Sequence, residues 1–380
     1  MNILFITDNN ISPLDGGVER VTQNLAIGLK QKNINSYLAF VFDIDTPSSQ
    51  DFLDKIQLKG NDWDILLLNY LKNNHINYII ANIAKKNNMK NILPRIYHIT
   101  SDLNCKIFFC YHNMPAYEMC GTNFMIRLFK VLGLSFITAK AISRKLKYGR
   151  YSDKVILLSE KYIPLYQKIT GETRKEKFGY IPNALSFSEI ANDDILKTKK
   201  KEVLIVARFA ECQKRISLAL KIWQKIEISG QFNDWVLKIV GGGGDEKKIK
   251  HLAQKLKLKN ISFEGKQNPI EYYKKASIFM MTSAYEGFPM TLGEAQQNGC
   301  IPIAFNSFAA INDLIENKRN GIVITNNNID EYMDALKELM KNEENRHILA
   351  KNGLKDCERY INENIINQWI TLFNNLEYEV

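Results

Sequence analysis

The sequence predicts an α/β protein made of two domains, each built on a parallel sheet. The chain has 380 residues, which exceeds one ordinary hydrophobic core and suits two domains of about 180 residues each. In both halves, short apolar runs alternate with segments of helical periodicity. Strict alternation of strand and helix favours parallel strands joined by right-handed crossovers.

The N-terminal half begins with a strand, a glycine-containing loop and a helix. Residues 3–7 form a short apolar run, and the polar loop 8–17 follows it. Apolar residues then recur at the spacing of a helical face, at Val18, Val21, Leu25 and Leu29. This order is typical of the first unit of a doubly wound domain. Three further apolar runs predict buried strands at 36–42, Lys106–Tyr111 and 155–159.

The C-terminal half repeats the alternation after a polar segment in the middle of the chain. Residues 183–202 carry many charges and predict a solvated linker. Helical patterns follow, for example at Ile216–Ile228 and 246–257. The strand-like runs between them are 203–207, Val236–Val240, 261–264, 278–282, Ile301–Phe305 and 321–324. The predicted domains are therefore residues 1–185 and 186–360.

The last stretch, 361–376, predicts a helix with a wide apolar face. Its apolar residues include Ile365, Ile366, Trp369, Ile370, Leu372 and Phe373. A helix this apolar must pack against another part of the protein.

Composition limits the class of protein. Apolar residues make up 45% and charged residues 24% of the chain, which argues against extensive disorder. The net charge of +10, from 51 basic and 41 acidic residues, favours anionic partners. The six cysteines form no C-x-x-C pair, which predicts reduced thiols. Because we see neither a signal peptide nor an apolar run of roughly 18–20 residues, we expect a cytoplasmic location.

The densest cluster of candidate site residues lies at 283–295, where a predicted strand leads into a helix. Pro289 suits the first turn of that helix, and Gly287 permits a ligand to approach the main chain closely. Free N–H groups at a helix start can hold phosphate. Glu286 and Glu294 are suited to accept hydrogen bonds from sugar and ribose hydroxyls. The alternative is that the carboxylates serve only the helix dipole.

Glu286 and Glu294, with seven residues between them, resemble the E-x7-E signature of retaining glycosyltransferases, above all glycosyltransferase family 4. The resemblance extends over most of the chain. Other segments that resemble the family are Gly16 to Arg20, His112 in Tyr111-His112-Asn113-Met114-Pro115, Ser159 with Glu160, Ile181-Pro182-Asn183, and the basic pair Arg208 and Lys214.

The resemblance implies the glycosyltransferase B (GT-B) fold. In this fold, two Rossmann-like domains face each other across a cleft. The N-terminal domain, 1–185, would bind the acceptor, and the C-terminal domain, 186–360, would bind the nucleotide-sugar donor. The C-terminal helix, 361–380, would return to the N-terminal domain.

The resemblance also implies roles for individual residues. Arg208 and Lys214 would bind the donor diphosphate, unless they are only solvent-facing charges; Arg can do so bidentately and Lys as a point charge. Glu286 would be a catalytic residue that holds the sugar hydroxyls, and Glu294 would hold the ribose. His112 would be the second catalytic residue, near the transferred sugar. The other predicted donor-binding residues are Gly287, Phe288, Pro289, Met290, Thr291, Gly16, Gly17, Gly241, Gly242 and Lys266.

Some of these residues have structural alternatives. His112 ends a very apolar run and also fits a buried structural histidine. Gly16 and Gly17 fit a plain turn before a helix. The glycines at 241–244 fit a flexible turn as well as a loop that lines the nucleotide pocket.

Residues 121–150 contain seven basic residues and no acidic one. The cations are Arg127, Lys130, Lys140, Arg144, Lys145, Lys147 and Arg150. With apolar residues between the charges, this stretch suits an anionic membrane surface or a polyprenyl-diphosphate-linked acceptor. It equally suits a core helix with a solvated basic face. No nucleic-acid motif accompanies it, so we expect no nucleic-acid partner.

These observations and the resemblance predict a retaining glycosyltransferase on the inner face of a bacterial membrane. It would move a hexose or N-acetylhexosamine from a nucleoside-diphosphate sugar to a glycan or lipid-linked acceptor in surface polysaccharide synthesis. Glu-Gly-Phe-Pro-Met at 286–290 resembles enzymes that use UDP-sugars. No D-x-D triplet with a site around it stands out, so we expect no metal or other cofactor. The alternative is a catalytically silent partner or scaffold protein of the same fold.

Overall fold

A computed structural model of the chain describes residues 1–12, 17–43, 49–83, 85–115, 135–187 and 189–377. These residues form two compact units. The first, called the N-terminal domain, contains residues 1–115, 135–186 and 362–377. The second, called the C-terminal domain, contains residue 187 and residues 189–361.

The N-terminal domain is built on a parallel sheet of seven strands. They are β1 (Asn2–Asn9), β2 (Asn35–Phe42), β3 (Lys55–Gln57), β4 (Tyr78–Asn82), β5 (Lys106–Tyr111), β6 (Lys154–Leu157) and β7 (Phe178–Tyr180). Their order in the sheet is β3-β2-β1-β4-β5-β6-β7. The central strands β1, β4 and β5 are buried along nearly their whole length, as expected for a parallel sheet that is covered on both faces.

Five helices of this domain connect the strands. They are α1 (Val18–Gln31), α2 (Trp63–Asn73), α3 (Lys86–Ile99), α4 (Ser135–Leu146) and α5 (Ile163–Thr170). Short 3-10 segments occur at Lys147–Tyr151, Glu160–Tyr162 and Lys175–Lys177. Helix α1 buries Leu25 and Leu29 of the face predicted from the sequence, together with Thr22 and Ala26, whereas Val18 and Val21 are only half-buried.

The C-terminal domain is built on a parallel sheet of six strands. They are β8 (Lys200–Val206), β9 (Val236–Val240), β10 (Ile261–Gly265), β11 (Ala276–Met281), β12 (Ile301–Phe305) and β13 (Ile322–Ile324). Their order is β10-β9-β8-β11-β12-β13. Counted from its own first strand, this is the doubly wound order 3-2-1-4-5-6.

The helices of the C-terminal domain alternate with its strands. They are α6 (Glu211–Lys214), α7 (Ile216–Ile228), α8 (Glu246–Lys255), α9 (Ile270–Lys275), α10 (Met290–Gln297), α11 (Ile311–Leu314), α12 (Ile329–Lys341) and α13 (Glu343–Asp356). Two 3-10 segments lie at Asp193–Thr198 and Cys357–Tyr360. One hydrophobic cluster joins strands β8, β9, β11 and β12 to helices α7, α8, α12 and α13. Trp223 and Trp235 are almost fully buried in it.

A last helix, α14 (Asn362–Glu377), belongs to the N-terminal domain. The Phe373 ring stacks on Tyr78 of β4 with centroids 4.6 Å apart, and Trp369 meets Phe108 of β5 edge-on. The Tyr78 hydroxyl donates to the Phe373 carbonyl at 3.0 Å. The apolar face predicted at 361–376 is therefore part of the N-terminal core.

The predicted α/β fold with two Rossmann-like domains is confirmed. The sequence missed β3, β4 and β7. The prediction of a solvated linker at 183–202 is wrong for Lys199, whose ammonium turns inward and donates to the carbonyls of Tyr273 and Asn298 at 2.8 and 2.6 Å. Burial lowers the pKa of Lys199 to about 8.

Candidate functional site

The candidate site lies where the connections of the C-terminal sheet change direction. From β8 the chain winds outward through β9 and β10, and it then returns to the other side of β8 as β11. Loops that follow the carboxyl ends of such neighbouring strands diverge and leave a crevice for ligands. The connecting segments here are 207–215 after β8, which contains the short helix α6, and 282–289 after β11. The predicted residues Arg208, Lys214 and Glu286 all lie on them.

Glu286 and Lys214 form an ion pair between these two loops. The Lys214 Nζ lies 2.6 Å from the Glu286 Oε1, and the two side chains are only 18% and 9% exposed. Lys214 is therefore not a solvent-facing charge. Two oppositely charged groups in a shielded position interact more strongly than they would on an open surface.

Gln213 links the ion pair to Arg208. Its Nε2 donates to the Glu286 Oε2 at 3.2 Å, while its Oε1 accepts from the Arg208 Nη2 at 3.4 Å. Arg208 itself is exposed. The sequence did not identify Gln213, because a single glutamine between Cys212 and Lys214 forms no known pattern. The structure thus brings three of the predicted residues together through one amide.

Arg215 holds the two loops in register and was also missed. Its main chain is in the left-handed region, with φ 48°, and its side chain is 7% exposed. The guanidinium donates to the carbonyls of Thr282 and Ser283 at 2.7 and 2.6 Å. It also donates to the Asn327 Oδ1 at 2.5 Å. In the sequence it is merely one more cation beside Lys214, but in the structure it fixes the end of β11 against α7.

Glu294 lies in α10 and is 4% exposed. The hydroxyl of Tyr273, on α9, donates to its Oε2 at 3.1 Å. Pro289 is the N-cap of α10 and has no side chain that can accept a hydrogen bond from the first turn. The Phe288 ring turns into the domain and packs on Tyr360, with centroids 5.1 Å apart.

The other predicted residues of this segment sit around the start of α10. Gly287 is buried, and Met290 and Thr291 are half-buried in the first turn of the helix. Their predicted contact with a donor stays a prediction.

The glycines after β9 have a structural reason that the sequence did not show. Gly241 has φ 139°, and a Cβ there would collide with the Ala207 carbonyl oxygen. Gly243 has φ 155°, and a Cβ there would lie 2.7 Å from the Phe209 carbonyl oxygen. The Phe209 amide donates to the Gly242 carbonyl at 2.9 Å. The glycines therefore let two loops of the domain touch main chain to main chain.

Lys266, which follows β10, is exposed and lies near this glycine loop. The role of Lys266, Gly241 and Gly242 at a nucleotide stays a prediction.

His112 follows β5 in the N-terminal domain, and both of its ring nitrogens lie inside that domain. Its Nε2 is 2.9 Å from the Asn82 Oδ1. The Asn82 Nδ2 donates to the Thr22 hydroxyl at 2.7 Å, and that hydroxyl donates to the Val18 carbonyl. This chain fixes the Asn82 Oδ1 as an acceptor, so Nε2 carries the proton. Burial lowers the pKa of His112 to about 4, against a smaller opposite effect of Asn183.

The remaining nitrogen of His112 faces the interior as an acceptor. Its Nδ1 is buried and makes no well-formed hydrogen bond with the residues that the structure describes. His112 lines a cavity of about 30 Å³ with Asn183 and Asn362, which is room for one or two waters. The predicted hydrogen bond from His112 to a sugar hydroxyl would therefore require the ring to turn. The catalytic role of His112 stays a prediction.

Two other predictions concern segments that the structure covers only in part. Gly16 lies outside the described residues, whereas Gly17 is the N-cap of α1 with φ 68°. Residues 121–134 of the basic stretch also lie outside. Within α4 and the 3-10 segment after it, Lys145 is buried, with its ammonium 5.7 Å from the centre of the Tyr111 ring. Its interpretation as a surface cation is wrong. Lys140, Arg144, Lys147 and Arg150 are exposed.

Within the described ranges, no group of three or more His, Cys, Asp and Glu side chains is arranged to hold a metal ion. Among the described helices, none combines the length and the apolar character that a membrane crossing requires. The cysteines Cys105, Cys110, Cys212, Cys300 and Cys357 are free thiols.

A family of known proteins matches most of the C-terminal domain. Residues 186–356 match the family described as Glycosyl transferases group 1. An uncharacterized glycosyltransferase of Haemophilus influenzae is 31% identical over 224 residues, which cover 57% of this chain and 60% of that protein. A poly(glycerol-phosphate) alpha-glucosyltransferase of Bacillus subtilis is 27% identical over 226 residues, which cover 59% of this chain and 33% of that protein. The aligned region thus spans less than two thirds of either relative.

Solved structures support the same fold over the whole chain. The crystal structure of Anabaena Alr3699/HepE in complex with UDP matches with a TM-score of 0.76 at 14% identity, covering 99% of this chain and all of that one. At this identity the likeness establishes the fold, which is the GT-B fold.

Proposed function

We propose that this protein, whose residues 186–356 form a group 1 glycosyltransferase domain, is a retaining glycosyltransferase. It transfers a hexose or an N-acetylhexosamine from a nucleoside-diphosphate sugar. The observation that carries the proposal is the Glu286–Lys214 ion pair at the carboxyl ends of β8 and β11. This ion pair supports the proposal because a carboxylate suited to sugar hydroxyls and a cation suited to phosphate lie side by side within the domain that matches the family.

Each group has a chemical task in such a transfer. Glu286 accepts hydrogen bonds from hydroxyls of the transferred sugar, and Lys214 and Arg208 stabilise the charge that develops on the departing diphosphate. The start of α10 adds main-chain N–H groups at the positive end of a helix, since Pro289 leaves them uncapped. Glu294 binds the ribose. None of these steps requires a metal ion.

UDP is the proposed nucleotide of the donor. The segment Glu-Gly-Phe-Pro-Met at 286–290 resembles that of enzymes with UDP-sugars, and a structure with the same fold binds UDP. The proposed acceptor is a glycan or a polyprenyl-diphosphate-linked glycan in bacterial surface polysaccharide synthesis. A relative named for a poly(glycerol-phosphate) acceptor supports an acceptor of the cell surface.

A thermal-shift screen tests the donor site first. The wild type and Glu294→Ala are heated with UDP, GDP, ADP, CMP and NAD. A ligand present at about 100 times its Kd stabilises the protein by roughly 2.7 kcal/mol, so the shift is easily seen. We expect a shift with UDP that is weaker in Glu294→Ala and intact in Glu343→Gln, whose side chain is 91% exposed. No shift of the wild type with any nucleotide would favour the silent-partner alternative.

Transfer chemistry is tested with UDP-sugars and an NMR readout. Slow hydrolysis of an α-linked UDP-hexose without acceptor should release UDP, and the first-formed free sugar should be the α anomer. The β anomer as first product would contradict retention but not glycosyl transfer. Glu286→Gln should slow the UDP release that the wild type shows by about 10²–10³-fold.

Contact with an anionic membrane is proposed for the basic stretch around Lys140, Arg144 and Lys147, which are exposed. Basic residues near an anionic surface contribute about 1 kcal/mol each at low salt. Flotation with anionic liposomes should therefore carry the protein at low salt, and a Lys140→Ala, Arg144→Ala, Lys147→Ala variant should float less. Equal behaviour with neutral liposomes would contradict the proposed contact.

A further inference from the structure

Helix α10, which carries Glu294, is held by buried polar contacts along its C-terminal half. The Gln296 Nε2 donates to the Leu314 carbonyl at 3.0 Å, and the Gln297 Nε2 donates to the Phe187 carbonyl at 2.7 Å. The Asn298 side chain donates back to the Glu294 carbonyl at 2.9 Å. A helix that only filled a core would use apolar side chains at these positions. Directional contacts of this kind fix how the helix is rotated and how far it is shifted along its axis.

Tyr273 reaches the functional end of this helix. Its hydroxyl donates to the Glu294 Oε2 at 3.1 Å, and the whole residue is inaccessible to solvent. The ring has little freedom, because Phe187 meets it edge-on with centroids 6.1 Å apart and Phe279 packs at 5.7 Å. The hydrogen bond therefore selects one orientation of the Glu294 carboxylate.

Lys199 links α9, which carries Tyr273, to the C-terminal end of α10. Its ammonium donates to the Tyr273 carbonyl at 2.8 Å and to the Asn298 carbonyl at 2.6 Å. Asn298 is the C-cap of α10, where a positive charge is favourable. Burying an ammonium costs free energy unless it is well bonded. Two main-chain acceptors offset this cost for Lys199: the Tyr273 carbonyl in α9 and the Asn298 carbonyl at the end of α10.

We propose that Tyr273 and Lys199 are positioning residues for the nucleotide: Tyr273 orients the Glu294 carboxylate, and Lys199 holds Tyr273 and α10 together. The inference rests on the proposed function, in which Glu294 binds the ribose hydroxyls. It adds that the affinity for those hydroxyls depends on a tyrosine and a lysine that do not touch the nucleotide.

The test compares two ligands that differ only at the ribose. Binding of UDP and of 2′,3′-dideoxyuridine diphosphate is measured by calorimetry for the wild type, Tyr273→Phe and Lys199→Met. We expect the wild type to bind UDP more tightly than the dideoxy analogue. Tyr273→Phe should weaken UDP binding about tenfold, as expected for a disturbed hydrogen bond to a charged group, and leave the analogue within about twofold.

Tyr332→Phe is the matched control. Tyr332 is also fully buried in the C-terminal domain, and its hydroxyl donates to the Ile303 carbonyl at 2.6 Å. The Tyr332→Phe variant loses a buried hydroxyl of the same kind, but this hydroxyl does not contact Glu294. Its affinity for UDP and for the dideoxy analogue should therefore match that of the wild type. Equal losses of both ligands in Tyr273→Phe, or no loss of either, would overturn the proposal.

A double-mutant cycle tests Lys199 separately and covers the case in which Tyr273→Phe fails to fold. In a Glu294→Gln background, Lys199→Met should have little further effect on UDP, because the group that it positions is already gone. Fully additive losses would overturn the role of Lys199. A wild type that binds UDP and the analogue equally would overturn the inference while leaving the proposed donor site intact. A wild type that binds neither would overturn both.

Discussion

The two domains share a strand order but use the equivalent place in it differently. In the N-terminal sheet the connections change direction between β1 and β4, as they do between β8 and β11 in the C-terminal sheet. In the N-terminal domain, the Asp8 carboxylate accepts from the Lys85 amide at 2.9 Å and from the Asn88 side chain at 2.5 Å. A carboxylate of the protein itself therefore accepts the hydrogen bonds offered at the start of α3.

In the C-terminal domain, the corresponding helix start has Pro289 at its N-cap position and no side-chain cap, and the carboxylate of Glu286 pairs with a lysine instead. The comparison teaches that the fold supplies a helix start at each switch point, while a few side chains decide whether it serves structure or ligand. At the N-terminal switch point, the Asp8 carboxylate accepts the hydrogen bonds of the helix start. At the C-terminal switch point, Lys214 and Arg208 provide positive charge that suits an anionic ligand.

The largest expected difference between the domains is in activity. Glu286→Gln removes the charge opposite Lys214 and should lower kcat by about 10²–10³-fold, as the loss of one preorganised polar group at a reacting centre does. Turnover of a UDP-sugar measures it, with Glu343→Gln as the control of the same chemistry at an exposed site. Unchanged kcat in Glu286→Gln would place the catalytic carboxylate elsewhere.

A second effect should appear in the stability of the C-terminal domain. Arg215→Met removes a buried guanidinium. The Thr282 carbonyl loses its Arg215 donor, and the Ser283 carbonyl keeps only the Ser307 hydroxyl, so we expect a loss of about 3–4 kcal/mol. Urea unfolding measures it. Arg359→Met, at an exposed arginine of the same domain, should lose far less. Similar losses for both variants would show that Arg215 does not hold the loops.

Acid should weaken the N-terminal domain through His112. Its pKa is lowered to about 4, whereas an unfolded imidazole titrates near 6.5, so the unfolded chain binds the extra proton between these values. The stability contributed by neutral His112 is fully present above pH 6.5 and is lost as the pH falls toward 4. We expect a loss of about 1–3 kcal/mol.

Unfolding in urea at pH 7 and pH 4.5 measures this loss. It should shrink in His112→Gln and persist in His347→Gln, where the histidine is exposed. A wild type and a His112→Gln variant with the same dependence on pH would mean that the pKa of His112 does not differ between the folded and unfolded states.

The smallest expected effect concerns the Asp8 carboxylate at the N-terminal switch point. Asp8→Asn weakens the internal closure of the α3 start, and we expect a loss of stability of about 1–2 kcal/mol. The Kd for UDP should stay within about twofold, because Asp8 serves structure. Urea unfolding measures the loss of stability, and calorimetry with UDP on the same preparation measures the Kd. A large loss of UDP affinity would give Asp8 a role at the ligand.

The sequence predicted those secondary-structure elements whose residues form contiguous apolar runs or a clear helical periodicity. Strands such as Val236–Val240 and Ile301–Phe305 are short runs in which every residue except Lys238 is apolar, and they were placed correctly. β3 has only three residues, two of them Lys55 and Gln57, at the edge of its sheet. An edge strand of this kind is half-exposed, so neither its length nor its polarity distinguishes it from a loop.

The site was predictable only where its residues are close in sequence or form a known motif. Glu286 and Glu294 met both conditions. The partner of Glu294 is Tyr273, 21 residues earlier, and the partner of Tyr273 is Lys199, 74 residues earlier again. These contacts are created by the order of strands in the sheet. His112 was placed at the correct strand end, but the direction of its nitrogens depends on Asn82 and Thr22, which no local pattern reveals.

The fit of α14 against α1 has a consequence for the order in which the protein is made. A Cβ at Gly28 would lie 2.5 Å from the Ile366 side chain, so the two helices meet with no space between them. The Asn362 side chain also donates to the Asn24 carbonyl across 338 residues of chain. On the ribosome, the residues of the C-terminal domain are made before α14. The N-terminal domain, although begun first, therefore cannot complete its core until the whole C-terminal domain has been synthesised.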